Sequence, residues 1–437
     1  MDILIKNKQT SFNNSCIKIP PSKSIAHRMI ICAALSNGES VIENVDFSQD
    51  ILATINAMEK AGAIIEKNNN TLKITGVFNG SFNTTKPLLE VFCNESGSTL
   101  RFLIPLFSAL FSRETKLVFT GAGRLLQRPQ TIYETIFKKI GIEFNHTEEK
   151  IETFGGFCGG KINLDGNVSS QFISGILMAA VLCKKDSIIK INPPFESKPY
   201  VDLTIDCFKK FGVIVTFVDD NTIFIKGGQQ FLSQHLCVEG DYSQMAFWAV
   251  LGCLKGDLRV EGINKNSLQG DMEILNILKN SGCEFEFLNN SQIVFKKSNI
   301  NSVFCDISNC PDLGPILTVL AAFSNKNSKI TGTKRLKIKE SDRAFAMKCE
   351  LEKIGINYDY TENQISINCS KNISNYSETQ IVFESHNDHR IAMSCAVAGL
   401  CKNLNSFIIK DANSVNKSYP SFWDDLKLLG VEIIKIN

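Results

Sequence analysis

The sequence predicts a mixed α/β (α+β) protein with two similar domains, each made of three related units. Three observations support this fold class. The chain has 437 residues, which is too long for a single ordinary hydrophobic core. Its composition, with 43% hydrophobic and 21% charged residues, is that of a globular protein rather than a disordered one. Finally, one helix-to-strand motif occurs six times along the chain.

The repeated motif is an amphipathic helix end, then a glycine, then a segment rich in Val, Ile and Phe. Lysines before the glycine suit the negative end of the helix dipole. Glycine readily adopts the left-handed conformation that ends a helix, and the apolar segment after it is typical of a strand. The six glycines are Gly62, Gly141, Gly212, Gly282, Gly355 and Gly430. Successive copies are 70 to 79 residues apart, which predicts six units, three in each domain, with a boundary near residues 238–240.

Charge and hydropathy exclude several classes of function. The 47 basic and 45 acidic residues give a formal net charge of +2, so we expect no binding to nucleic acid or to an anionic membrane. The strongest apolar run, residues 102–111, is far shorter than the roughly 20 residues that cross a membrane. The first residues lack a basic segment followed by an apolar one, so we expect a cytoplasmic protein.

The cysteines and histidines predict neither disulfides nor a metal site. Fifteen cysteines are scattered singly, without a Cys-x-x-Cys pair, which is typical of small reduced core residues. Of the five histidines, only His386 and His389 lie close together. We therefore expect no structural metal and no cofactor.

Two glycine-rich segments are similar to nucleotide-binding motifs, and we reject both. Residues 155–161 match most of a P-loop, but Ile162 replaces the Ser or Thr that holds magnesium, and the flanks predict strand, turn and strand. Gly121 and Gly123 begin a dinucleotide fingerprint, but Leu126 stands in place of its third glycine.

Polar clusters precede four apolar helical segments. They span residues 22–28, 95–101, 168–171 and 239–244. Ser, Thr and Asp are good helix N-caps, so one interpretation of these clusters is purely structural. Free N–H groups at a helix start, with hydroxyls and a Lys or Arg one turn later, also form a cradle for anions. The presence of four such clusters in one chain favours anion binding.

Charged residues are concentrated in four further segments, which span residues 123–129, 339–343, 387–390 and 416–420. An arginine side chain can grip a carboxylate or a phosphate at two oxygens. A solvated charged face is the alternative for residues 339–343, whereas Asp388 and Arg390 precede a helix without another charge for ten residues. Asp312, at the entry to the apolar residues 316–323, is either an N-cap or a general base beside cations.

Ten short motifs follow one another in a specific order along the chain. They are Pro21-Ser-Lys23-Ser24-x-x-x-Arg28, Ser96-Gly97-Ser98-x-x-Arg101, Arg124-x-x-x-Arg128-Pro129, Ser169-Ser170-Gln171, Ser197-Lys198-Pro199-Tyr200, Gly240-Asp241, Pro311-Asp312, Lys339-Glu340-x-Asp342-Arg343, Asp388-His389-Arg390-x-Ala-Met and Lys417-Ser-Tyr-Pro420. In this order they resemble the 5-enolpyruvylshikimate-3-phosphate synthase family, the 3-phosphoshikimate 1-carboxyvinyltransferases, over essentially the full chain.

The resemblance implies a fold and a reaction. The implied fold has two domains of three βαβαββ repeats each, residues 20–238 and residues 1–19 with 239–437, and the implied active site lies in the cleft between the domains. The implied reaction transfers the enolpyruvyl group of phosphoenolpyruvate to the 5-hydroxyl of shikimate 3-phosphate and releases phosphate, without a metal or a cofactor. We expect these two small molecules as the binding partners and a monomer as the functional form.

The resemblance also implies roles for individual residues. Shikimate 3-phosphate would be held by Lys23, Ser24, Arg28, Ser169, Ser170, Gln171, Ser197, Asp312 and Lys339. Phosphoenolpyruvate would be surrounded by Lys23, Gly97, Arg124, Gln171, Arg343, Arg390 and Lys417. Asp312 would accept the proton of the attacking hydroxyl. Glu340, helped by Lys23, would handle the proton delivered to the methylene carbon.

The chain departs from the family pattern at three places. Glu95 stands where an Asn is more usual, residues 121–123 lack the common acidic residue, and Arg335 replaces a frequent Asn. We therefore assign no substrate contact to Arg335 and expect a different charge near Glu95.

Two alternatives are weighed against this hypothesis. A UDP-N-acetylglucosamine enolpyruvyl transferase usually has a catalytic Cys before its Arg-Pro motif, and residues 121–129 contain none. A non-catalytic anion-binding repeat protein would not need Asp312 and Glu340.

Overall fold

A computed structural model of the protein describes residues 1–7, 12, 15–79, 84, 86–369 and 380–436. The chain forms two compact units. The first, here called the N unit, is Pro21–Val238, and the second, the C unit, combines Met1–Pro20 with Glu239–Asn437. Each unit buries its own cluster of apolar side chains, so each has a separate hydrophobic core.

The described residues form strands and helices in regular alternation. The strands are β1 (Asp2–Lys6), β2 (Ser15–Lys18), β3 (Glu39–Glu43), β4 (Ile64–Asn68), β5 (Thr71–Thr75), β6 (Leu88–Phe92), β7 (Lys116–Thr120), β8 (Glu143–His146), β9 (Ile151–Phe154), β10 (Lys161–Asp165), β11 (Ser187–Asn192), β12 (Val215–Asp219), β13 (Thr222–Ile225), β14 (His235–Cys237), β15 (Leu258–Glu261), β16 (Glu284–Phe287), β17 (Gln292–Lys296), β18 (Phe304–Asp306), β19 (Ser328–Thr331), β20 (Asn357–Tyr360), β21 (Gln364–Asn368), β22 (Ile381–Glu384), β23 (Ser406–Lys410) and β24 (Glu432–Ile436). The α-helices are α1 (Lys23–Ala34), α2 (Gln49–Ala61), α3 (Gly97–Leu110), α4 (Thr131–Ile140), α5 (Ser170–Leu182), α6 (Lys198–Lys210), α7 (Tyr242–Lys255), α8 (Glu273–Asn280), α9 (Gly314–Ala322), α10 (Arg343–Glu352), α11 (His389–Cys401) and α12 (Phe422–Leu428). Short 3₁₀ helices lie at Leu125–Gln127, Gly270–Met272, Pro311–Leu313, Lys334–Ile338 and Ala412–Lys417.

The strands form six four-stranded sheets with a common topology. In one repeat, β6, α3, β7, α4, β8 and β9 follow one another, and the sheet order is β6-β7-β9-β8. The first two strands run parallel and the other neighbours antiparallel. The same order and pairing recur in the other five sheets. The predicted fold class, repeated βαβαββ units in two domains, is confirmed.

Three sheets are completed by strands from distant parts of the chain. β14 pairs in parallel with β3 and supplies the first strand of the first repeat. β2 has the same position beside β15 in the C unit. β1 lies between β23 and β24 in the last sheet. Both amino-terminal strands therefore belong to sheets of the C unit.

The repeated helix–glycine–strand motif folds as predicted. All six glycines adopt the left-handed conformation, with φ between 76° and 113°. A strand begins two or three residues after each glycine. Residues 155–160 connect β9 to β10, and Lys161 begins β10, so a strand rather than a helix follows the P-loop-like glycines, also as predicted.

The first helix of each repeat is deeply buried. These helices are α1, α3 and α5 in the N unit and α7, α9 and α11 in the C unit, and they contain the apolar runs noted in the sequence. The four polar clusters predicted from the sequence lie at the amino-terminal ends of α1, α3, α5 and α7, so in each unit polar side chains stand at the starts of buried helices. Within the ranges described above, no helix is both long and apolar enough to cross a membrane.

Close packing of α3 on α5 depends on Gly175. A Cβ atom at this position would overlap the Arg101 carbonyl oxygen and the Tyr133 hydroxyl, which are themselves hydrogen bonded to each other. Because a backbone carbonyl cannot move away cheaply, we expect Gly175→Ala to lower the free energy of unfolding by about 3 kcal/mol. Gly141→Ala, where a Cβ would enter open space at φ 76°, should cost only about 1 kcal/mol. Urea unfolding of both variants tests the difference, and equal costs would contradict the packing argument.

Candidate active site

Lys23 begins α1 and faces a carboxylate. Its Nζ lies 2.7 Å from Oδ2 of Asp50 in the first turn of α2, and the side chains are 17% and 10% exposed. Ser22 stands at the N-cap position of α1, but its hydroxyl makes no capping bond. The ammonium group of Lys23 is therefore fixed at a helix start. There, both the cation and the backbone N–H groups favour the binding of an anion.

Arg28, one turn into the same helix, is a buried cation. Its Nε donates to Thr204 Oγ1 at 2.7 Å, its Nη1 to the Ser24 carbonyl at 2.6 Å, and its Nη2 to the Tyr200 carbonyl at 2.9 Å. In the part of the chain that the structure describes, no carboxylate pairs with this guanidinium. Burial lowers the pKa of Arg28 to about 10, so the group stays charged at neutral pH. Such a cation is suited to an anionic ligand.

Gln171 connects the starts of α3 and α5. Its Oε1 accepts a bond from Arg101 Nη1, and its Nε2 donates to Ser98 Oγ, each at 2.9 Å. The guanidinium of Arg101 also lies 4.6 Å from the ring centre of Phe172. These contacts hold the two helix ends together at the polar clusters predicted from the sequence.

Four further serines of the quoted motifs, Ser96, Ser169, Ser170 and Ser197, lie at helix starts in the N unit. Ser169 caps α5, accepting a bond from the Gln171 N–H at 3.3 Å, and Ser170 is buried in the first turn. Ser96 caps α3 in the same way. Ser197 precedes α6 with φ 54°, a left-handed value that is uncommon for a residue other than glycine. The interpretation of the polar clusters as helix caps is therefore confirmed for Ser96 and Ser169.

The loop after β7 packs against the start of α3. A Cβ at Gly97 would lie 2.6 Å from Arg128 Nη1, and one at Gly123 would meet the Glu95 carboxylate. Arg128 is buried, whereas Arg124 is exposed. The unusual Glu95 thus lies next to the loop that itself lacks an acidic residue.

Asp312 is the centre of the charged cluster in the C unit. Its Oδ1 lies 2.9 Å from Lys339 Nζ and 3.0 Å from Arg343 Nη1, and its Oδ2 lies 3.3 Å from Arg390 Nη2. The N-cap position of α9 belongs to Leu313, so the alternative that Asp312 caps this helix is wrong. Burial works to raise the pKa of Asp312, but Arg390, Lys339 and Arg343 together hold it well below its usual range.

Arg343 forms ion pairs with three carboxylates. Its Nη1 bonds Asp312, its Nη2 bonds Glu340 at 2.5 Å, and its Nε bonds Asp388 at 2.8 Å. The side chain is 1% exposed. Burial alone would lower the pKa of this guanidinium, but the three carboxylates outweigh it and raise the pKa. The charged residues 339–343 are therefore an organised cluster and not a solvated face.

Arg390 and Lys417 complete the cationic side of the C unit. Arg390 donates to Ser243 Oγ at 2.9 Å as well as contacting Asp312. Lys417 Nζ donates to the Asn387 carbonyl at 2.6 Å, so it is joined to the loop before α11 rather than directly to Asp312. Both side chains are almost fully buried.

Several polar residues of the two units were not assigned a role from the sequence. Asp388, which lies inside the Asp388-His389-Arg390 motif, caps α11 through the Arg390 N–H and binds Arg343. Asp50 carries no motif signal, and only the fold shows that it pairs with Lys23. Arg335 donates to the Ser308 carbonyl and is buried. Among the described residues, no group of three or more His, Cys, Asp or Glu side chains could hold a metal ion.

Comparison with known proteins identifies the family. The EPSP synthase family (3-phosphoshikimate 1-carboxyvinyltransferase) matches residues 8–426. The chain is 44% identical to the 3-phosphoshikimate 1-carboxyvinyltransferases of Clostridium kluyveri, over 420 residues, and Clostridium acetobutylicum, over 424 residues, with 95% of each chain covered.

Solved structures agree with this match. EPSP synthase from Acinetobacter baumannii has a TM-score of 0.80 and 25% identity, with 100% of both chains covered. The enolpyruvyl transferase NikO from Streptomyces tendae, at 14% identity, has a TM-score of 0.74 over 99% of this chain and 98% of its own, which shows a shared fold. The chain belongs to the EPSP synthase family.

Proposed function

We propose that this chain transfers the enolpyruvyl group of phosphoenolpyruvate to the 5-hydroxyl of shikimate 3-phosphate and releases inorganic phosphate, a step of the shikimate pathway to aromatic amino acids. The observation that carries this proposal is the carboxylate of Asp312 in contact with Lys339, Arg343 and Arg390. Enolpyruvyl transfer needs a base for the attacking hydroxyl and cations for the substrate anions. This cluster contains both kinds of group.

The N unit supplies most of the residues that we assign to shikimate 3-phosphate. They are Lys23, Ser24, Arg28, Ser169, Ser170, Gln171 and Ser197, with Asp312 and Lys339 from the C unit. Arg28 supports this assignment because, among the residues that the structure describes, its guanidinium contacts hydroxyls, carbonyls and the Phe102 ring but no carboxylate. Serine hydroxyls and N–H groups at the start of α5 are suited to phosphate oxygens.

We assign phosphoenolpyruvate to residues of both units. They are Lys23, Gly97, Arg124, Gln171, Arg343, Arg390 and Lys417. Arg343 and Arg390 support the assignment, because two adjacent guanidinium groups can bind one carboxylate through several charge-assisted hydrogen bonds. Gly97 supports it because a side chain there would overlap Arg128 and crowd the start of α3.

The reaction then divides into addition and elimination. In the addition, the 5-oxygen bonds to C2 of phosphoenolpyruvate and gives its proton to Asp312, while C3 receives a proton from Glu340 or Lys23. In the elimination, C3 gives a proton back to the group that donated it and the bond from C2 to the phosphate oxygen breaks, which regenerates the enol ether. The proton that Asp312 accepted is released with the phosphate. Lys23 also offsets the charge of the departing phosphate.

The cations around Asp312 change its strength as a base. While Lys339, Arg343 and Arg390 all contact this carboxylate, its pKa is low and it is a weak base. Substrate anions attract the same cations, so their charge is shared between Asp312 and the ligands. The basicity of Asp312 should therefore rise when both substrates are bound, at the stage when it accepts the hydroxyl proton.

The direct test is phosphate release from phosphoenolpyruvate in the presence of shikimate 3-phosphate. We expect turnover that requires both substrates, and no turnover when UDP-N-acetylglucosamine replaces shikimate 3-phosphate. Turnover only with UDP-N-acetylglucosamine would favour the other enolpyruvyl transferase. A folded sample that releases no phosphate with either acceptor would overturn the enzymatic proposal and favour a non-catalytic anion-binding protein.

We further propose that the active form is a cytoplasmic monomer that needs no metal and no cofactor. All residues assigned to the two substrates come from one chain. The fifteen cysteines are all free thiols, which supports a reducing compartment. The positive side chains of the two units offset the substrate charges, a role that metal ions often have in phosphate sites.

A further inference from the structure

The loop between β22 and α11 has an unusual backbone. His386 and Asn387 both have φ 53°, so two consecutive residues other than glycine adopt the left-handed conformation. This conformation is sparsely populated for such residues and persists only where surrounding contacts hold it. The loop leads directly into Asp388 and Arg390, so its shape fixes the start of α11.

A buried carboxylate holds this loop. Glu350 lies on α10, and its side chain is 1% exposed. Its Oε1 is 2.9 Å from His386 Nε2, and its Oε2 accepts bonds from the Glu384 N–H at 2.9 Å and from Lys353 Nζ at 2.6 Å. Burial works to raise the pKa of Glu350, but His386, Lys353 and the Glu384 N–H lower it, so the carboxylate is ionised. Because an ionised carboxylate only accepts, His386 donates from Nε2.

The same loop is attached to residues assigned to phosphoenolpyruvate. The Asn387 carbonyl accepts the bond from Lys417, and Asp388 binds Arg343. Glu350 lies seven residues after Arg343 on α10, so both side chains project from one face of this helix. Two residues of helix α10 therefore hold the loop in place. Arg343 bonds Asp388, and Glu350 bonds His386 and the Glu384 N–H.

We propose that Glu350 is a positioning residue for phosphoenolpyruvate binding: by holding the left-handed backbone of His386 and Asn387, it aligns Arg390 and Lys417. This inference rests on the proposed function. Within the described part of the chain, the Glu350 carboxylate bonds Lys353, Glu384 and His386 and no residue assigned to a substrate, so its effect is transmitted through the loop. Its loss should affect the phosphoenolpyruvate site more than the groups of the N unit that are assigned to shikimate 3-phosphate.

The test compares Glu350→Ala with the wild type in steady-state kinetics. We expect the KM for phosphoenolpyruvate to rise about tenfold, because the loop loses a buried charged acceptor. The KM for shikimate 3-phosphate should change by less than about threefold, and kcat at saturating substrates should be affected less than the KM for phosphoenolpyruvate. His386→Ala removes only one of the three contacts and should raise the KM for phosphoenolpyruvate by about threefold, even if Glu350→Ala does not fold.

A matched control is Glu352→Ala on the same helix. Glu352 pairs with Lys348 at the surface and has a 47% exposed side chain, so this change should leave all kinetic constants unchanged. Equal increases in both KM values in the Glu350 and His386 variants would indicate a general structural role and overturn the proposal. A wild-type KM for phosphoenolpyruvate in both variants would do the same. Absence of turnover by the wild type would instead contradict the proposed function.

Discussion

Asp312→Ala should lower kcat by about 10³-fold, which is a typical contribution of a general base. The carboxylate is the only group that we assign to the proton of the attacking 5-hydroxyl, and alanine leaves water as the alternative acceptor. The change should not prevent substrate binding, because Lys339, Arg343 and Arg390 remain. Removal of a negative charge that lies within 3.3 Å of all three cations increases the positive potential that the substrate anions experience.

The kinetic constants separate this role from a structural one. We expect the KM for phosphoenolpyruvate to stay constant or fall, and the affinity for shikimate 3-phosphate, measured by calorimetry, to decrease only slightly. Asp424→Ala is a suitable control, since Asp424 is 74% exposed and pairs with Lys427 at the surface. If Asp312→Ala keeps near-normal kcat, the assignment of the base is wrong. A large loss of affinity for both substrates would instead indicate that Asp312 mainly organises the cations.

The features of the fold that could be predicted from sequence are those encoded locally. A left-handed glycine after a lysine-rich helix end is a short-range signal, and its six copies show the repeat without any knowledge of the tertiary structure. The apolar runs in α1, α3 and α11 could be predicted because they too are short-range patterns in the sequence. Strand pairing is not local. The positions of β1, β2 and β14 in their sheets depend on residues roughly 200 or more positions away in the chain, and no pattern within these short strands indicates their partners.

The residues of the candidate site also fall into those that the sequence could predict and those that only the structure shows. Cationic residues such as Arg343 and Arg390 could be found because they occur in motifs with a recognisable order. The partner side chains that orient these cations could not be found from the sequence. The sequence alone left Asp312 equally compatible with a helix cap and a base. Only the structure excludes the cap, because Leu313 stands at the N-cap position of α9 and the carboxylate of Asp312 contacts three cations instead. Asp50 and Glu350 look like ordinary surface acids of amphipathic helices, and their burial is a consequence of the tertiary packing of these helices.

Lys23 is the position in the N unit where we expect the largest loss of activity. Lys23→Met keeps most of the side-chain length but removes the charge that we assign to the phosphate group and to the proton on the methylene carbon. Because electrostatic stabilisation and proton transfer each contribute about 10²-fold or more, we expect kcat/KM for phosphoenolpyruvate to fall by at least about 10³-fold. Asp50→Asn should cost less, about tenfold, since it leaves the ammonium in place and weakens only the 2.7 Å contact that orients it.

Comparing the loss of kcat/KM in Lys23→Met with that in Asp50→Asn distinguishes a role of Lys23 on the substrates from a purely structural one. If Lys23 acts only as a structural partner of Asp50, the two variants should lose similar amounts of activity and stability, because each breaks the same ion pair. If Lys23 acts on the substrates, Lys23→Met should lose far more activity than Asp50→Asn. Lys73→Met removes a surface lysine that pairs with Glu39 in the same unit and should leave kcat/KM unchanged. A Lys23→Met enzyme with kcat/KM within about tenfold of the wild type would contradict the assignment, because a cation in contact with the departing phosphate cannot be lost at so small a cost.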